Sequence, residues 1–364
     1  MRATVRGRTY VGADVRRYFG DPSQLCGVRR FVLEEGRSQG SHILQVNNGA
    51  GLILEVNSSR GMDLGRLALH GVPISYQSYN QEVAPDYYEA YEDGWLRSYG
   101  GGLLVTGGLT STGSPERDGG EILPLHGRIS NIPATAVSYG MTEHDGRECI
   151  FVSGDVRESK ALRCNLVLHR KIFIDVGRNE IKVDDTVENE GFEESELMIL
   201  YHFNFGHPLL DAGARFVGRS CSVEPRDRDA AACLEPYWCY LAPTPHYKDI
   251  VYYHQLADQR GICTAGIANE GIGLAVGIRF LRNELDCLTQ WKFLGEGNYV
   301  AGIEPGNAFV SGRSAERTAG RMKTIGPQER RHFGVRLRIY DDPDEVRQFI
   351  SDTVQVEERS HEAL

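Results

Sequence analysis

Apolar and polar residues alternate along this chain in short runs that turn-forming residues separate. The clearest runs are rich in Val, Ile, Leu, Tyr and Phe: RRFVLEEG, GLILEVN, ECIFVSGDV, LRCNLVLHRKIFIDVG, NEIKVDDTVEN, GLAVGIRF and HFGVRLRIY. Between them lie Gly, Asn and Asp clusters such as NNGAG and ENEGF, which are typical of turns. Because a period of two places alternate side chains on opposite faces of a strand, the pattern predicts an antiparallel β protein.

Two local stretches show this pattern and its exception. Residues 171–189, KIFIDVGRNEIKVDDTVEN, contain two alternating strands joined by Gly-Arg-Asn and predict a hairpin. Near the end of the chain, Asp342 is placed as an N-cap, Pro343 as the first helical residue and Glu345 as the N3 partner. We therefore expect a helix near 343–354 that packs on a sheet edge, followed by an acidic tail that frays.

Composition and charge narrow the class of protein. The chain has 364 residues, 41% of them apolar and 25% charged, which is an ordinary globular composition. Large all-β units reach this length and no repeat or linker divides the chain, so we expect a single domain over residues 1–364. The formal net charge of -10 argues against nucleic acid or an anionic membrane as a partner, because both bind proteins through clustered Lys and Arg.

Cysteine usage and the first residues indicate a compartment. Eight cysteines stand at irregular spacings, without the Cys-x-x-Cys pair of a zinc or redox motif. The start of the chain has no apolar signal segment, and no stretch approaches 18 apolar residues. We expect a cytoplasmic protein with reduced thiols and no bound metal.

Residues 75–104 interrupt the strand rhythm with a long, acidic and tyrosine-rich segment that ends in three glycines. Long loops on a rigid β scaffold often contribute to function. A solvated excursion explains the segment equally well, and the sequence leaves both interpretations open.

Polar residues follow apolar strand runs at several places. Met198, Ile199 and Leu200 form a continuous apolar run that passes into Tyr201-His202-Phe203-Asn204, and Glu304 ends another run just before Pro-Gly. Buried polar groups need partners or a function, and a glutamate is rarely buried unless it is paired or functional. Two further stretches, WLRSYGGGLL with Arg97 and PLHGRISNIPA with His126 and Arg128, place basic side chains beside glycines that allow close backbone approach.

In their order along the chain, these motifs resemble the aldose 1-epimerase (galactose mutarotase) superfamily and its bacterial aldose 1-epimerase-like relatives. The motifs are Arg97-Ser-Tyr-Gly-Gly-Gly, Leu125-His126-Gly127-Arg128, Tyr201-His202-Phe203-Asn204-Phe205 and Gly302-Ile303-Glu304-Pro305. The resemblance implies a large antiparallel β-sandwich with few short helices, and cofactor-free interconversion of the α and β anomers of a sugar.

The resemblance also implies roles for single residues. Glu304 would be the general base on the anomeric hydroxyl, His202 the general acid on the ring oxygen, and His126 a hydrogen-bond donor. Ring opening removes a proton from O1 while O5 receives one, so a carboxylate and an imidazolium that flank one acetal carbon suit the reaction. Arg97 would orient the sugar hydroxyls. His207 competes with His202 for the acid role, because the histidine strand departs from the family pattern.

Other residues are expected to line the site and bind substrate. They are Arg128, Asn204, Arg60, Asp63, Trp291, Lys292, Asn307 and Arg313. Trp291 can stack on the apolar face of a sugar or belong to the core. Arg128 is either a substrate contact or part of a salt bridge at a strand start. The predicted partner is a small-molecule sugar. Because guanidinium groups bind carboxylates and phosphates in a bidentate geometry, acidic and phosphorylated sugars are among the candidates. A homodimer is left open.

Two rival functions remain at this stage. A carbohydrate-binding β-sandwich without activity would not need both Glu304 and His202, because aromatic stacking and amides suffice for binding. A different sugar epimerase, an isomerase, a lyase or a glycosidase would use the same scaffold. Cleavage of a glycosidic bond usually needs two carboxylates, whereas the candidate site offers one obvious carboxylate, Glu304, with Asp63 and Asp211 as unplaced extras. Hydrolysis and lyase action therefore rank below anomer interconversion.

Overall fold

The computed structural model describes residues 2–5 and 8–354, and these residues form two large antiparallel sheets. The strands in chain order are β1 Arg2–Val5, β2 Arg8–Val11, β3 Gly27–Val32, β4 His42–Asn47, β5 Leu52–Asn57, β6 Asp63–Leu69, β7 Val72–Pro73, β8 Leu104–Leu109, β9 Glu116–Asp118, β10 Glu121–Leu123, β11 Thr135–His144, β12 Arg147–Ser159, β13 Asn165–Asp175, β14 Glu180–Asn189, β15 Ser195–Glu196, β16 Met198–Phe205, β17 Arg215–Gly218, β18 Ser220–Pro225, β19 Ile250–Leu256, β20 Ile262–Asn269, β21 Leu274–Leu281, β22 Cys287–Leu294, β23 Tyr299–Gly306, β24 Thr324–Ile325 and β25 Arg330–Tyr340.

Helices are few and short. The α-helices are α1 Ala13–Tyr18, α2 Arg228–Ala232, α3 Arg313–Thr318 and α4 Pro343–Val354, and the 3-10 helices are Pro22–Gln24, Gly36–Ser38, Pro85–Tyr87, Gly94–Arg97 and Ile129–Asn131. Helix α4 has the predicted bounds, and the Asp342 carboxylate accepts hydrogen bonds from the backbone amides of Asp344 and Glu345. The predicted frayed tail, residues 355–364, lies outside the described residues. The predicted single domain over residues 1–364 includes these and a few N-terminal residues that are not described, and it stays a prediction.

The two sheets have different strand orders. Sheet 1 runs β11-β12-β13-β14-β25-β21-β20-β17. Sheet 2 runs β18-β19-β22-β23-β16-β8-β6-β5-β4-β3, with β7 added beside β6. The predicted hairpin forms the pair β13 and β14, in which Phe173 lies opposite Lys182. Every pairing between strands of these sheets is antiparallel.

The core lies between the sheets and follows from the alternation of the sequence. In β14 every second residue is buried, from Ile181 and Val183 onward, while the residues between them are only partly covered. These side chains join Leu44 and Phe203 of sheet 2 in one continuous apolar cluster. The prediction of a large antiparallel β-sandwich with few short helices is confirmed.

Two predictions from composition can be compared with the structure. All eight cysteines are free thiols. Within residues 2–5 and 8–354, no helix is long and apolar enough to cross a membrane.

Candidate active site

A cavity of about 590 Å³ opens over the face of sheet 2 that is turned away from the core. Its floor is formed by the neighbouring strands β16, β23 and β22, and its walls come from residues 76–99, the loop around His126 and the ends of β18 and β19. The volume lies in the range that pockets for small organic ligands occupy.

Strand alternation determines which side chains reach this floor. In β16, Tyr201, Phe203 and Phe205 point into the core, so His202 lies on the opposite face and lines the cavity. In β23, Ile303 is a core residue and its neighbour Glu304 lines the cavity. The register pairs Phe203 with Ile303, which places His202 directly opposite Glu304.

His202 and Glu304 form the centre of the site. The distance from His202 Nε2 to Glu304 Oε1 is 3.3 Å, and the side chains are only 7% and 2% exposed. Burial, and then the neighbouring Asp249 carboxylate, raise the pKa of Glu304 well above its usual 4.5. Burial, and then His126, lower the pKa of His202 well below 6.5. Both shifts favour the pair of a neutral carboxylic acid and a neutral imidazole.

This protonation state differs from the expected carboxylate and imidazolium, but the difference is the position of one proton. Both forms hold a single proton on the pair, either on Glu304 or on His202. Burial penalises two separated charges more than two neutral groups, which is why the neutral form is favoured in the protein alone. The pair thus holds one proton in either form. The contact of 3.3 Å between His202 Nε2 and Glu304 Oε1 is not aligned as a hydrogen bond, so Oε1 stays open to a ligand.

His126 is held beside this pair by its own loop. Its backbone φ is 54° and that of Gly127 is 76°, so the chain turns sharply and lies across the end of β8. The amide of Gly108 donates to the His126 carbonyl at 3.0 Å, and the amide of Arg128 donates to the Gly108 carbonyl at 3.1 Å. The His126 and His202 rings lie 5.4 Å apart, edge to face. Burial lowers the pKa of His126 to about 4, so this imidazole is neutral at neutral pH.

Several polar atoms at the cavity floor have no hydrogen-bond partner in the described part of the chain. They are His126 Nδ1, His202 Nδ1, Glu304 Oε1 and Thr289 Oγ1. An unsatisfied buried polar group costs about 1–3 kcal/mol, and proteins rarely group several of them in one place. Their concentration here indicates that these atoms serve a ligand rather than the fold.

Aromatic rings form the walls. Trp95 stacks on Tyr99 with ring centres 4.6 Å apart, and Trp95 also contacts the His126 ring at 4.9 Å. On the opposite side, the Trp291 ring rises from β22 at the floor and contacts the His202 ring edge to face at 5.3 Å. The phenol of Tyr76 donates to Asn298 at 2.8 Å. Rings of this kind offer flat apolar surfaces beside polar groups, an arrangement that suits a sugar.

One charged cluster lies at the rim of the cavity. Arg226 donates to Asp249 at 2.7 Å and to Asp227 at 3.0 Å, and the Trp291 indole also donates to Asp249. Among the described residues that line the cavity, Arg226 is the only Lys or Arg. Since two carboxylates already hold its guanidinium, the cavity presents no uncompensated positive charge.

Gly302 makes room for the Glu304 carboxyl group. A Cβ atom at this position would lie 2.4 Å from Glu304 Oε1 and 3.0 Å from Trp291 Cβ, so any side chain must displace one of them. The glycine is therefore required by the site and not by backbone strain, since its φ is not in the left-handed region.

We expect Gly302→Ala to reduce turnover about 10–100-fold, because a carboxyl group shifted by roughly 1 Å loses its alignment with the reacting atoms. Thermal unfolding and steady-state kinetics on the same preparation would separate lost activity from lost fold. Gly20→Ala is the matched control, since nothing lies within 4 Å of its added Cβ. Equal activity of the Gly302 variant and the wild type would mean that the carboxyl position is unimportant.

The two arginines of the motif-based prediction do not line the cavity. Arg97 ends the 3-10 helix Gly94–Arg97, its side chain is 71% exposed, and its Nε lies 3.4 Å from Glu89. Arg128 donates instead to the carbonyl of Ile122 at 2.9 Å. The structure therefore does not bring Arg97 or Arg128 into the cavity. Their long side chains satisfy local partners on the outer side of the cavity wall.

Arg60 and Asp63 are buried in the scaffold beneath the wall. Arg60 donates to the carbonyls of Ser98 at 2.6 Å and Ser130 at 3.2 Å, and so ties two wall segments together. Asp63 accepts from Thr106 and pairs with Arg170 at 3.1 Å. Neither side chain reaches the cavity, because each is already saturated by buried partners.

Asn204 and Asn307 also serve the framework. Asn204 accepts a hydrogen bond from the Tyr99 hydroxyl at 2.8 Å, so it acts on the cavity only through that ring. Asn307 bridges β16 by accepting from the Ile199 amide and donating to the Leu197 carbonyl. Arg313 pairs with Asp118 at 2.7 Å, away from the cavity.

His207 and Asp211, the other open candidates, lie on the surface. The His207 side chain is 66% exposed, and its Nδ1 lies 3.9 Å from Asp211. Neither residue lines the cavity, so of the two histidines that competed for the acid role only His202 lies at the cavity. The second carboxylate at the cavity is Asp249 rather than Asp63 or Asp211.

Lys292 points away from the cavity because it alternates with Trp291 on β22. It donates to the Cys239 carbonyl at 2.9 Å and lies over the rings of Tyr240 and Tyr252 at 5.2 and 5.5 Å. The residue is only 4% exposed, and burial lowers its pKa from 10.5 to about 8. Lys292 therefore does not line the cavity in which a substrate contact was expected.

Lys292→Met should change how stability depends on pH. Between pH 8 and 10.5 a lysine in the unfolded chain keeps its proton while the buried Lys292 has lost it, so this group by itself makes stability rise across the interval. Buried thiols such as Cys149, whose pKa is raised to about 12, act in the opposite direction, but they do so in both proteins. The stability of the wild type relative to Lys292→Met should therefore increase by about 3 kcal/mol. Urea unfolding at pH 7 and pH 10.5 measures the difference, with the exposed Lys171→Met as control. Parallel pH curves for wild type and Lys292→Met would show that Lys292 titrates normally.

Sequence reasoning missed much of the wall. Tyr76, Tyr79, Trp95 and Tyr99 come from the tyrosine-rich segment whose role the sequence left open, and its density of aromatic residues was the available signal. Arg226 and Asp249 gave no signal, because each lies at a loop end without a motif. Within the described residues, no group of three or more His, Cys, Asp or Glu side chains is arranged to hold a metal ion.

The sequence matches one known family. Residues 38–339 match a family model described as a domain of unknown function (DUF4432). No curated protein sequence matches the chain.

Among solved structures, a Klebsiella pneumoniae protein provisionally described as an aldose 1-epimerase is 27% identical, with a TM-score of 0.85 over 91% of this chain and 87% of that one. A galactose mutarotase-like protein from Clostridium acetobutylicum is 16% identical, with a TM-score of 0.63 over 87% of this chain and 99% of that one. The galactose 1-epimerase of Lactobacillus acidophilus is 12% identical, with a TM-score of 0.55 over 87% and 99%.

Proposed function

We propose that this chain, which belongs to the DUF4432 family, is an enzyme that interconverts the α and β anomers of a free sugar. The observation that supports this most directly is the buried pair of His202 and Glu304, 3.3 Å apart at the floor of an aromatic cavity. A module that only binds sugar has no need of two buried titratable groups that share one proton. Their burial costs stability, which a functional role explains.

The single proton of the pair is enough for the reaction. In the ionic form, the Glu304 carboxylate takes the proton from the anomeric hydroxyl O1 while the His202 imidazolium gives its proton to the ring oxygen O5. The C1–O5 bond breaks, an open-chain aldehyde forms, and the pair is left in its neutral form. After rotation about the C1–C2 bond, the two proton transfers run backwards and close the ring to the other anomer. Protons balance, and no cofactor enters the cycle.

His126 fits a supporting role. Because its pKa is lowered to about 4, it is a neutral imidazole that can donate one hydrogen bond to a sugar oxygen but does not supply a proton at neutral pH. Its unpartnered Nδ1 and its position beside His202 support this assignment.

The charges of the cavity favour an uncharged sugar. The cations that led to the expectation of an acidic or phosphorylated sugar, Arg60, Arg97, Arg128 and Lys292, all bind protein groups outside the cavity. The remaining Arg226 is held by Asp227 and Asp249. An anionic substrate would approach Asp249 without a free cation to compensate the added charge, and its own charge would be desolvated in the cavity.

NMR of freshly dissolved single anomers tests the function. We expect the protein to accelerate equilibration of uncharged sugars, and to act more slowly on a uronic acid and a sugar 6-phosphate. The same spectra would reveal hydrolysis or elimination products. If no sugar in the panel equilibrates faster with the wild type than with Glu304→Gln, the proposed reaction is wrong.

The pH profile should follow from the shared proton. The active pair holds one proton. In acid, at a pH well below the ordinary histidine pKa of 6.5, His202 binds a second proton for the pair and activity should fall. In alkali, Glu304 loses the proton above its raised pKa and activity should fall again. After subtraction of the spontaneous rate, kcat/KM should be flat around neutral pH. A single rise centred near pH 6.5 would instead indicate that His202 titrates like an exposed imidazole.

A further inference from the structure

The cavity extends beyond the His202 and Glu304 pair, toward the turn that joins β22 to β23, and we propose that this outer part binds a second sugar ring. The substrate would then be an uncharged oligosaccharide that presents its reducing end to Glu304. This inference rests on the proposed function for the inner part of the cavity.

The length of the cavity along the strands is the first argument. On the cavity face, Thr289, Trp291 and Phe293 follow one another along β22, and the register pairs them with Glu304, Gly302 and Val300. The four steps along the strand from Thr289 to Phe293 span about 14 Å at ~3.4 Å per residue. Opposite hydroxyl oxygens of one pyranose ring, built from bonds of ~1.5 Å, lie only roughly 6 Å apart. One ring at Glu304 therefore leaves the Phe293 end free.

The side chains of this outer part are the second argument. We call the set Tyr79, Phe293 and Asn298 the outer subsite. Phe293 is partly exposed beside Trp291, and Tyr79 is 68% exposed at the mouth. The Tyr79 hydroxyl donates to the Glu296 carbonyl at 3.3 Å and lies against Gly297, where a Cβ atom would be 2.4 Å from it. These contacts place the ring over the turn at the cavity mouth, where it offers a surface on which a sugar ring can stack.

Asn298 adds polar groups next to these rings. Its side-chain oxygen accepts from the Tyr76 hydroxyl, and this contact orients the amide at the turn between β22 and β23. In the described part of the chain, its amide nitrogen has no hydrogen-bond partner. Flat rings with a fixed amide between them match the alternation of apolar faces and hydroxyl groups on a sugar, whereas a purely apolar substituent would leave the amide unsatisfied.

Matched monosaccharides and disaccharides distinguish this proposal from the parent function. Glucose is compared with maltose, cellobiose and lactose, each followed by NMR as a single anomer with the full-length protein. We expect kcat/KM for the best disaccharide to exceed that for glucose by about tenfold, the gain from stacking one additional ring.

Phe293→Ala should lower this ratio toward one, and Tyr79→Ala provides a second variant at an exposed position. Phe192→Ala, 88% exposed on a distant loop, is the matched control and should leave the ratio unchanged.

The outcomes separate the two proposals. If glucose equilibrates as fast as every disaccharide and Tyr79→Ala has no effect, the outer subsite is refuted while the anomerase function stands. If no sugar equilibrates but disaccharides still bind in saturation-transfer NMR, and bind more weakly to Phe293→Ala, the reaction is refuted while the subsite stands. If no sugar either binds or equilibrates, both proposals are wrong.

Discussion

Glu304→Gln is expected to lower kcat/KM for anomer interconversion by about 10³-fold, within the range of 10²–10⁴ that a general acid or base contributes. Glutamine keeps the size and hydrogen-bonding groups of the neutral carboxylic acid, so the cavity should keep its shape. Glutamine cannot accept the O1 proton during ring opening or return it during ring closure. Both steps therefore lose the group that transfers the proton at the anomeric oxygen.

The same substitution should not destabilise the fold. Burial raises the pKa of Glu304 above 4.5, so folding must keep this group protonated or bury its charge, and stability decreases as pH rises above the unfolded-state pKa. Glutamine removes that cost. The variant should therefore combine its large loss of activity with a stability at least equal to that of the wild type at neutral pH, which thermal unfolding measures directly.

Glu143→Gln is the matched control for this experiment, because Glu143 lies exposed on β11 in the other sheet. It should leave both activity and stability unchanged. A Glu304→Gln variant that retains more than about a tenth of wild-type kcat/KM would contradict general base catalysis by this residue, since that loss is smaller than such a group contributes.

His202→Gln is expected to reduce kcat by about 10²–10⁴-fold, because glutamine can donate a hydrogen bond near the position of Nε2 but cannot transfer a proton to O5. His202 and Glu304 act together in the same ring-opening step, one on O5 and the other on O1, so their losses should not add. The double variant Glu304→Gln with His202→Gln should be about as slow as the slower single variant. Steady-state kinetics of the three variants form the required cycle.

His207→Gln controls for the loss of a histidine from the same chain segment. His207 is exposed and lies outside the cavity, so this variant should have wild-type activity. Two results would overturn the assignment of the acid. One is a strong loss in His207→Gln with little effect in His202→Gln, and the other is fully additive losses in the double variant, which would mean two independent contributions.

Function and stability are in conflict at this site. The floor contains polar atoms without protein partners, a carboxyl group with a raised pKa and an imidazole with a lowered pKa. A site evolved for stability alone would fill these positions with apolar residues, which often stabilise when they replace buried charges. Retaining them is typical of active sites that exchange stability for activity.

The sequence by itself determined the strands, because backbone geometry enforces the alternation of side chains in any strand. It singled out His202 and Glu304 through polar residues at the ends of apolar runs and through the order of motifs that resemble the aldose 1-epimerase superfamily. The structure then shows that alternation around Phe203 and Ile303 places both side chains on the cavity face. The helix near 343–354 was also predictable, because its cap depends on residues three positions apart.

Only the tertiary structure decided which other side chains meet the substrate. Arg97, Arg128 and Lys292 bear the right chemistry, but each finds a nearer partner outside the cavity, because long flexible side chains reach several alternatives. Trp95 and Asp249 gave no periodic signal and still line the cavity, because loop paths depend on contacts between distant segments. Strand periodicity is local physics that a sequence displays, whereas the pairing of strands and loops across the chain is settled by packing of the whole fold.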